Sequence, residues 1–231
     1  MSQNAPQPSD ASFRELLSIL GHELRSPLTV VRGAATLLQE AYDDLPRERA
    51  DEMLALIDKH VESMSNRIED LIAVCHIDAG DTRLVMQDVE LADLLRPLLE
   101  WTAAHAPSRG VNAPEPQPGL RVHADWERSQ QVLRALIDNA IRYSPPESPV
   151  EIETGTTESG KVAIRVLDRG PGVPEEQREL IFQRMGKRDG AGPGLGLYMA
   201  RGLARAMGGE VDVADRDGGG AIFSFTLNRH G

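Results

Sequence analysis

One cysteine in 231 residues excludes an internal disulfide and suits a reducing cytosol, so the expected location is cytoplasmic. Positive charge is also short: 25 Lys plus Arg stand against 36 Asp plus Glu, a net of −11. The chain therefore lacks the basic footprint that nucleic acid or anionic lipid requires, and an anionic ligand would need local help. No stretch approaches the roughly 18 consecutive apolar residues of a membrane span. The start, M-S-Q-N-A-P-Q-P-S-D, has neither the basic end nor the apolar run of a secretory signal. A soluble chain without direct membrane insertion is expected. The histidines are scattered without metal-ligand spacing, no G-x-S-x-G turn marks a hydrolase nucleophile, and no internal repeat is present.

What is present divides in two. The length predicts one to two domains. Residues 1–11 are polar and proline-containing, with nothing to bury, and are expected to be disordered. S-F-R-E at 12–15 has the form of a capping box, which predicts a helix from Ser12. Phe13, Leu17, Leu20, Leu24, Pro27, Val31, Ala34 and Leu38 then recur at alternating spacings of four and three, as in a coiled-coil seam. Leu54, Ile57, Val61, Met64, Ile68, Leu71 and Cys75 repeat the pattern. Between them D-D-L-P at 43–46 predicts a turn with an acidic cap and a proline early in the second helix, and Gly80 predicts its stop. Two helices cannot close a core alone, so two hairpins are expected to associate as a four-helix bundle in a homodimer.

Beyond about residue 82 the pattern changes. Strands are predicted at 84–89, 120–122, 150–154, 161–167, 210–213 and 221–227, with helices at 91–106, 126–143, 174–182 and 195–207. The Pro- and Gly-rich stretch 106–119 reads as a loop. The expected class is α+β: a helical-hairpin dimerisation domain over 12–80, then a second domain over 81–231 whose pattern reads as α+β or α/β.

The chemistry starts at G-H-E-L-R-S-P, residues 21–27. His22 falls opposite the apolar seam and is expected to be exposed. Pro27 cannot donate to the carbonyl of Glu23, which predicts a bend beside the histidine at a cost of about 3 kcal/mol. Glu23 is either a solvated helix carboxylate or a proton acceptor that raises the nucleophilicity of the imidazole. A zinc H-E-x-x-H is excluded because Ser26 stands where the second histidine belongs. Farther on, D-R-G-P-G at 168–172 ends an apolar strand, and its two glycines let backbone approach a ligand while Asp168 accepts from an amino group. G-P-G-L-G-L at 192–197 opens a helix whose bare amides suit an anion. It matches neither a dinucleotide fingerprint nor a Walker A loop. In I-D-N-A-I-R-Y, Asn139 offers a neutral oxygen to Mg²⁺, Arg142 could reach a phosphate, and Tyr143 could lie against a base.

In this order the segments resemble the sensor histidine kinases of two-component systems. G-H-E-L-R-S-P-L-T is similar to the H box, I-D-N-A-I-R-Y-S-P to the N box, and D-R-G-P-G-V to the G1 box. Ile181-Phe182 resembles the start of the F box and G-P-G-L-G-L the G2 box. The resemblance covers roughly residues 12–229 and implies a dimeric phosphoacceptor hairpin followed by an ATP-binding catalytic domain, an α/β sandwich of the Bergerat or GHKL type shared with gyrase and Hsp90. It implies that His22 takes a phosphoryl group from ATP, with Glu23 as acid-base partner, and passes it to an aspartate of a response-regulator receiver domain. Asn139 would hold Mg²⁺, Asp168 the adenine amino group, Gly170 and Gly172 the pocket shape, and Gly192, Gly194 and Gly196 the hinge and phosphate end of an ATP lid. Three departures stand out: Ala135 replaces a second asparagine, Met185 the second F-box aromatic, and Ser26 the Thr or Asn that orients water for dephosphorylation. The first two motivate an alternative, a degenerate kinase serving as an ATP-binding or phosphotransfer scaffold. A related ATPase or serine kinase of the anti-sigma type would leave the histidine, its proline and the dimer seam without a purpose. No sensor-like stretch precedes Ser12, so an upstream sensor domain or protein is expected to supply the signal.

Overall fold

The structure, a computed structural model, describes residues 10–41, 45–184, 186 and 194–230, with the side chains of 10–17, 19, 20 and 22 outside the description. It divides into two compact units, one running to Gly80 and the other beginning at Asp81.

The first unit is a hairpin of α1 (Asp10–Glu40) and α2 (Arg47–Ala79). The first helix is already formed at Asp10, the first described residue, so Ser12 lies inside it rather than capping it, and of the stretch expected to be disordered residues 1–9 fall outside the description. Helix α1 runs through Pro27, which is buried, and the hydroxyl of Thr29 donates to the Arg25 carbonyl at 2.8 Å. Pro46 is the N-cap of α2 rather than part of its first turn, and no side chain caps this end; Asp43 and Asp44 lie outside the described residues. Gly80 stops α2 as expected, in a left-handed conformation (φ 65°), its amide reaching the carbonyls of His76 and Ile77.

On α1 the seam residues Leu24, Pro27, Val31, Ala34 and Leu38 are buried or half-buried. The α2 seam splits. Ile57, Met64 and Leu71 turn inward, whereas Leu54, Val61 and Ile68 remain exposed.

The second unit is a mixed seven-stranded sheet with helices packed on it. Its elements are β1 (Met86–Glu90), α3 (Leu91–His105), β2 (Val111–Asn112), β3 (Arg121–Asp125), α4 (Trp126–Tyr143), β4 (Val150–Thr156), β5 (Val162–Leu167), α5 (Gly196–Ala206), β6 (Glu210–Asp215) and β7 (Ala221–Arg229). The strand order is β1-β3-β7-β5-β4-β2, all antiparallel except β2 with β4. Strand β7 lies along β5 on one edge, while its other edge pairs with β6 over Ala221–Thr226 and with β3 at Asn228 and Arg229. Its inward residues Ala221, Phe223, Phe225 and Leu227 alternate with half-buried ones, the period-2 signature of a sheet covered on one face. Helix α4 supplies the opposing layer through Val132, Leu133, Leu136, Ile137 and Ala140.

Two expectations fail here. Residues 174–182 form two three-residue 3₁₀ turns, Glu175–Gln177 and Leu180–Phe182, instead of a helix. Nine residues give too little propagation to offset helix nucleation, and the segment is anchored sideways, Arg178 to Asp215 at 2.6 Å and Glu179 to Arg201. The stretch read wholly as loop contains β2, whose two residues pair in parallel with Val150 and Glu151.

Candidate functional site

In the hairpin, His22 lies within α1, and its side chain is outside the described residues. Glu23, next to it, is not a solvated carboxylate: it forms an ion pair with Arg67 of α2. Arg67 stands three residues after Met64 and four before Leu71, on the inward side of α2. A cation at that step of an apolar repeat was the available signal for a partner across the hairpin. Ser26 is exposed, so water reaches its hydroxyl.

In the second unit the site assembles where α4, β5 and the β6–β7 turn end. Strand β5 is buried along nearly its whole length and delivers Asp168 at its end, itself 4% exposed. One carboxylate oxygen, Oδ1, accepts from the amides of Gly170 (2.8 Å) and Ala221 (3.0 Å). The Asp168 amide in turn donates to the Ala221 carbonyl at 2.9 Å. Among the described residues no hydrogen bond to Oδ2 is present, and that oxygen is not one of the fully buried atoms, so it stays open as an acceptor for a donor that arrives with a ligand.

Helix α4 begins at an Asp125 cap, Oδ1 accepting from the Arg128 amide at 3.0 Å, and its buried face orients the rest. Asn139 and Tyr143 are left half-buried and Arg142 exposed. The helix end is joined to the D-R-G-P-G turn: Ser144 Oγ accepts from the Arg169 amide at 3.0 Å, and a Cβ on Gly170 would lie 2.8 Å from the Tyr143 carbonyl oxygen. Only glycine permits that approach. Arg109 clasps the following loop, donating to the carbonyls of Ser144, Pro145 and Ser148. Gly172 has φ 72° against Gly220, Gly194 has φ 67°, and Gly196 starts α5, whose first turn has no side-chain cap; Gly192 lies outside the described residues. A Cβ on Gly196 would lie 3.9 Å from that of Ala135, so α5 approaches α4 at the position where an asparagine was expected. Met185 lies outside the described residues.

A cavity of about 30 Å³ is lined by Asn139, Tyr143, Ile181, Gly186, Leu197 and Phe223. That is room for about two waters and too little for a nucleobase. It brings Asn139 and Tyr143 together with the residue after Gly196, while Asp168, Gly170 and Gly172 line the neighbouring end of β5. Below it, Arg201 of α5 donates to both oxygens of Glu179 (2.7 and 3.1 Å) and to Glu210 (2.9 Å), over the ring of Phe182. Hydrogen bonding by Glu179 raises the Arg201 pKa, and the same bond lowers that of Glu179. This clamp ties the turn before residue 183 to the helix after residue 195. No metal cage is assembled from His, Cys, Asp or Glu among the described residues. A Mg²⁺ ion here would depend on Asn139 and the phosphates of its nucleotide, a usual donor set for that ion.

Sequence reading missed Arg67, Ser144, Glu151, Arg201 and Arg216, each of which acts through a partner remote in the chain. None of the described helices is long and apolar enough to cross a membrane.

Two family models match. Residues 14–80 match the His Kinase A (phospho-acceptor) domain, and residues 124–231 match the histidine kinase-, DNA gyrase B- and HSP90-like ATPase. The sensor protein DivL of Caulobacter vibrioides is 33% identical over 93% of this chain and 28% of its own length. The adaptive-response sensory kinase SasA of a Synechococcus species is 30% identical over 92% of the chain and 58% of its own length. Among solved structures, full-length ShkA in complex with AMPPNP superposes with a TM-score of 0.64 at 30% identity, covering 94% of this chain and 46% of that one. The chain thus spans less than two thirds of each of these relatives. With a phosphoacceptor region followed by an ATPase region of this type, it belongs to the sensor histidine kinases of two-component systems.

Proposed function

We propose that the chain is an ATP-dependent protein-histidine kinase. A ring nitrogen of His22 attacks the γ-phosphorus of ATP, the N–P bond forms as the bond to the bridging oxygen breaks, and ADP leaves. The phosphoryl group then passes to an aspartate carboxylate of a response-regulator receiver domain. Residues 12–80 serve as the dimerisation and phosphotransfer domain and 81–231 as the catalytic domain, in a cytoplasmic homodimer driven by an upstream sensor domain or protein.

Asp168 carries this reading. A carboxylate that is buried, pinned through one oxygen and left with the other as a bare acceptor fits the exocyclic amino group of adenine. Tyr143 lies against the base, Gly170 and Gly172 let backbone close on it, and Arg142 reaches a phosphate. Gly192, Gly194 and Gly196 bring the uncapped amides of α5 to the phosphate chain, where the helix dipole favours negative charge. Asn139 would hold Mg²⁺, which supplies charge neutralisation on the transferring phosphoryl group. Phosphoryl transfer needs alignment and charge balance more than covalent help. In the hairpin Glu23 takes the imidazole proton, with Arg67 fixing the carboxylate. Ser26 holds the water for dephosphorylation of the receiver.

The test is incubation with γ-labelled ATP and Mg²⁺, comparing the chain with His22→Gln. Acid-labile, base-stable label on the wild type and none on the variant is the expected outcome. Label that persists in the variant would place the phosphoacceptor elsewhere.

A further inference from the structure

Arg216 belongs to none of the motifs read from the sequence, yet its side chain is only 8% exposed. It opens the turn between β6 and β7. One arm of its guanidinium, Nη1, donates to the Asp168 carbonyl at 3.1 Å, and the other, Nη2, donates to Glu151 Oε2 at 2.6 Å. Glu151 sits on β4 directly across from Leu167, the residue before Asp168. A largely buried guanidinium is costly unless both its charge and its donors are answered. Here one partner answers the charge, and the other is the backbone of the residue on which the nucleotide reading rests.

The consequence for Asp168 is that its carbonyl, its amide and its Oδ1 are each held from one hairpin, the Gly170 amide being a further donor to Oδ1. Its carbonyl is held by Arg216, its amide by the Ala221 carbonyl, and its Oδ1 by the Ala221 amide. The hairpin is pressed close enough that a Cβ on Gly220 would fall 2.1 Å from the Asp168 carbonyl oxygen. Neither backbone nor χ1 of Asp168 can then drift, and the direction of Oδ2 is set before any ligand arrives. Lysine could answer Glu151, but its donors all sit on one nitrogen, without the two separated arms by which the guanidinium reaches the carbonyl as well. Arg169 adds a second cation at 3.6 Å from Glu151, so the carboxylate keeps its charge; Arg216 is the main cause of its lowered pKa.

We propose that Arg216, held by Glu151, is a positioning residue that sets the nucleobase selectivity of the site: through Asp168 it favours 6-aminopurine nucleotides over purines with hydrogen or a carbonyl at that position. The proposal rests on Asp168 as the base contact. A hydrogen bond to a carboxylate is worth roughly tenfold or more in affinity, and that gain depends on Oδ2 staying where it is.

The experiment compares binding of ADP with that of purine riboside 5′-diphosphate, which lacks only the amino group, by calorimetry on the full chain. Wild type should prefer ADP by roughly tenfold or more, and Asp168→Asn should bring the ratio near one. Arg216→Ala should lower the ratio at least about threefold. Glu151→Gln should lower it less, and it carries the test if the arginine variant does not fold. Arg201→Ala breaks a network of similar size that does not touch Asp168; it should lower the melting midpoint and leave the ratio unchanged. A wild-type ratio in folded Arg216→Ala, or in Glu151→Gln if that variant alone folds, overturns the proposal and leaves Asp168 as the base contact. An unchanged ratio in Asp168→Asn overturns the base contact itself, and the selectivity role with it.

Discussion

Replacing Gly220 with alanine should damage the site more than the same change one residue earlier, and the structure says by how much. Gly219 and Gly220 have nearly the same backbone, φ 97° and 104°, so alanine at either carries the cost of a left-handed side chain, about 1–3 kcal/mol. Their surroundings differ. A Cβ on Gly219 meets nothing within 4 Å, whereas one on Gly220 would lie 2.1 Å from the Asp168 oxygen and 2.8 Å from its carbonyl carbon. Those are backbone atoms at the end of a buried strand and cannot swing away as a side-chain tip would. Relief needs a shift of about an ångström in β5 or in the hairpin, an overpacking cost of about 1–3 kcal/mol more. Gly219→Ala should therefore lose about 1–3 kcal/mol and Gly220→Ala about 2–6 kcal/mol. For a unit of this size that corresponds to midpoint losses of roughly 2–12 °C and 4–24 °C. Differential scanning calorimetry gives the midpoints and ADP titration the site effect: affinity should fall roughly tenfold in Gly220→Ala and hold in Gly219→Ala. Equal midpoints and equal affinities for the two variants would refute the steric reasoning.

Asn139→Ala should lower Mg²⁺-dependent labelling roughly a hundredfold or more while metal-free ADP binding persists; unchanged labelling would remove the metal role. Arg67→Ala should slow labelling at saturating ATP about tenfold without changing the KM for ATP, because Glu23 acts on the imidazole rather than on nucleotide binding; a raised KM with full rate would contradict that. Ile68→Glu places charge in the exposed apolar line of α2, and the chain should sediment as a folded monomer at micromolar concentration. A persistent dimer would mean that this line is not the seam. Glu151 has its pKa held below 4.5, first by Arg216, so its stabilisation is complete above about that pH and is lost as pH falls through the lower folded value. The gap in melting midpoint between wild type and Glu151→Gln should therefore close on acidification below about pH 4.5; a gap that persists at about pH 2.5 would show that charge is not its source.

The elements read best from sequence were those whose signal is local. Helix α4 begins and ends where expected because a capping aspartate precedes a strongly amphipathic run. The turns at 175–182 misled because P-E-E-Q-R-E-L-I-F has helical composition, while its conformation is decided by Asp215, Arg201 and Glu210. Strand β2 has two residues and exists only because β4 is beside it. The site follows the same division. Asn139, Asp168 and the glycines fall in short linked motifs, and the order of those motifs was informative. Arg216 and Glu151 stand 65 positions apart and share no motif, so their pairing emerges only when β4, β5 and the hairpin are folded together.

The divided seam of α2 shows what a repeat cannot state. Spacings of three and four place Leu54, Ile57, Val61, Met64, Ile68 and Leu71 on one broad stripe, and a stripe of that width is more than one neighbouring helix can cover. Within a single hairpin α1 takes the Ile57, Met64 and Leu71 line, leaving Leu54, Val61 and Ile68 39–52% exposed. Charged and polar residues would occupy that line if it faced water in the assembled protein, since isolated exposed leucines are common but a regular row of them is not. Arg67 on the inward side makes the same point from the other direction. The position next to Met64 and Leu71 that apolar packing would have claimed was given to a cation, because α1 presents Glu23 there. The inward line is thus specified by one ion pair and the outward line by hydrophobicity alone, so breaking Glu23–Arg67 should disturb α1 without dissociating the proposed dimer, and Ile68→Glu should do the reverse.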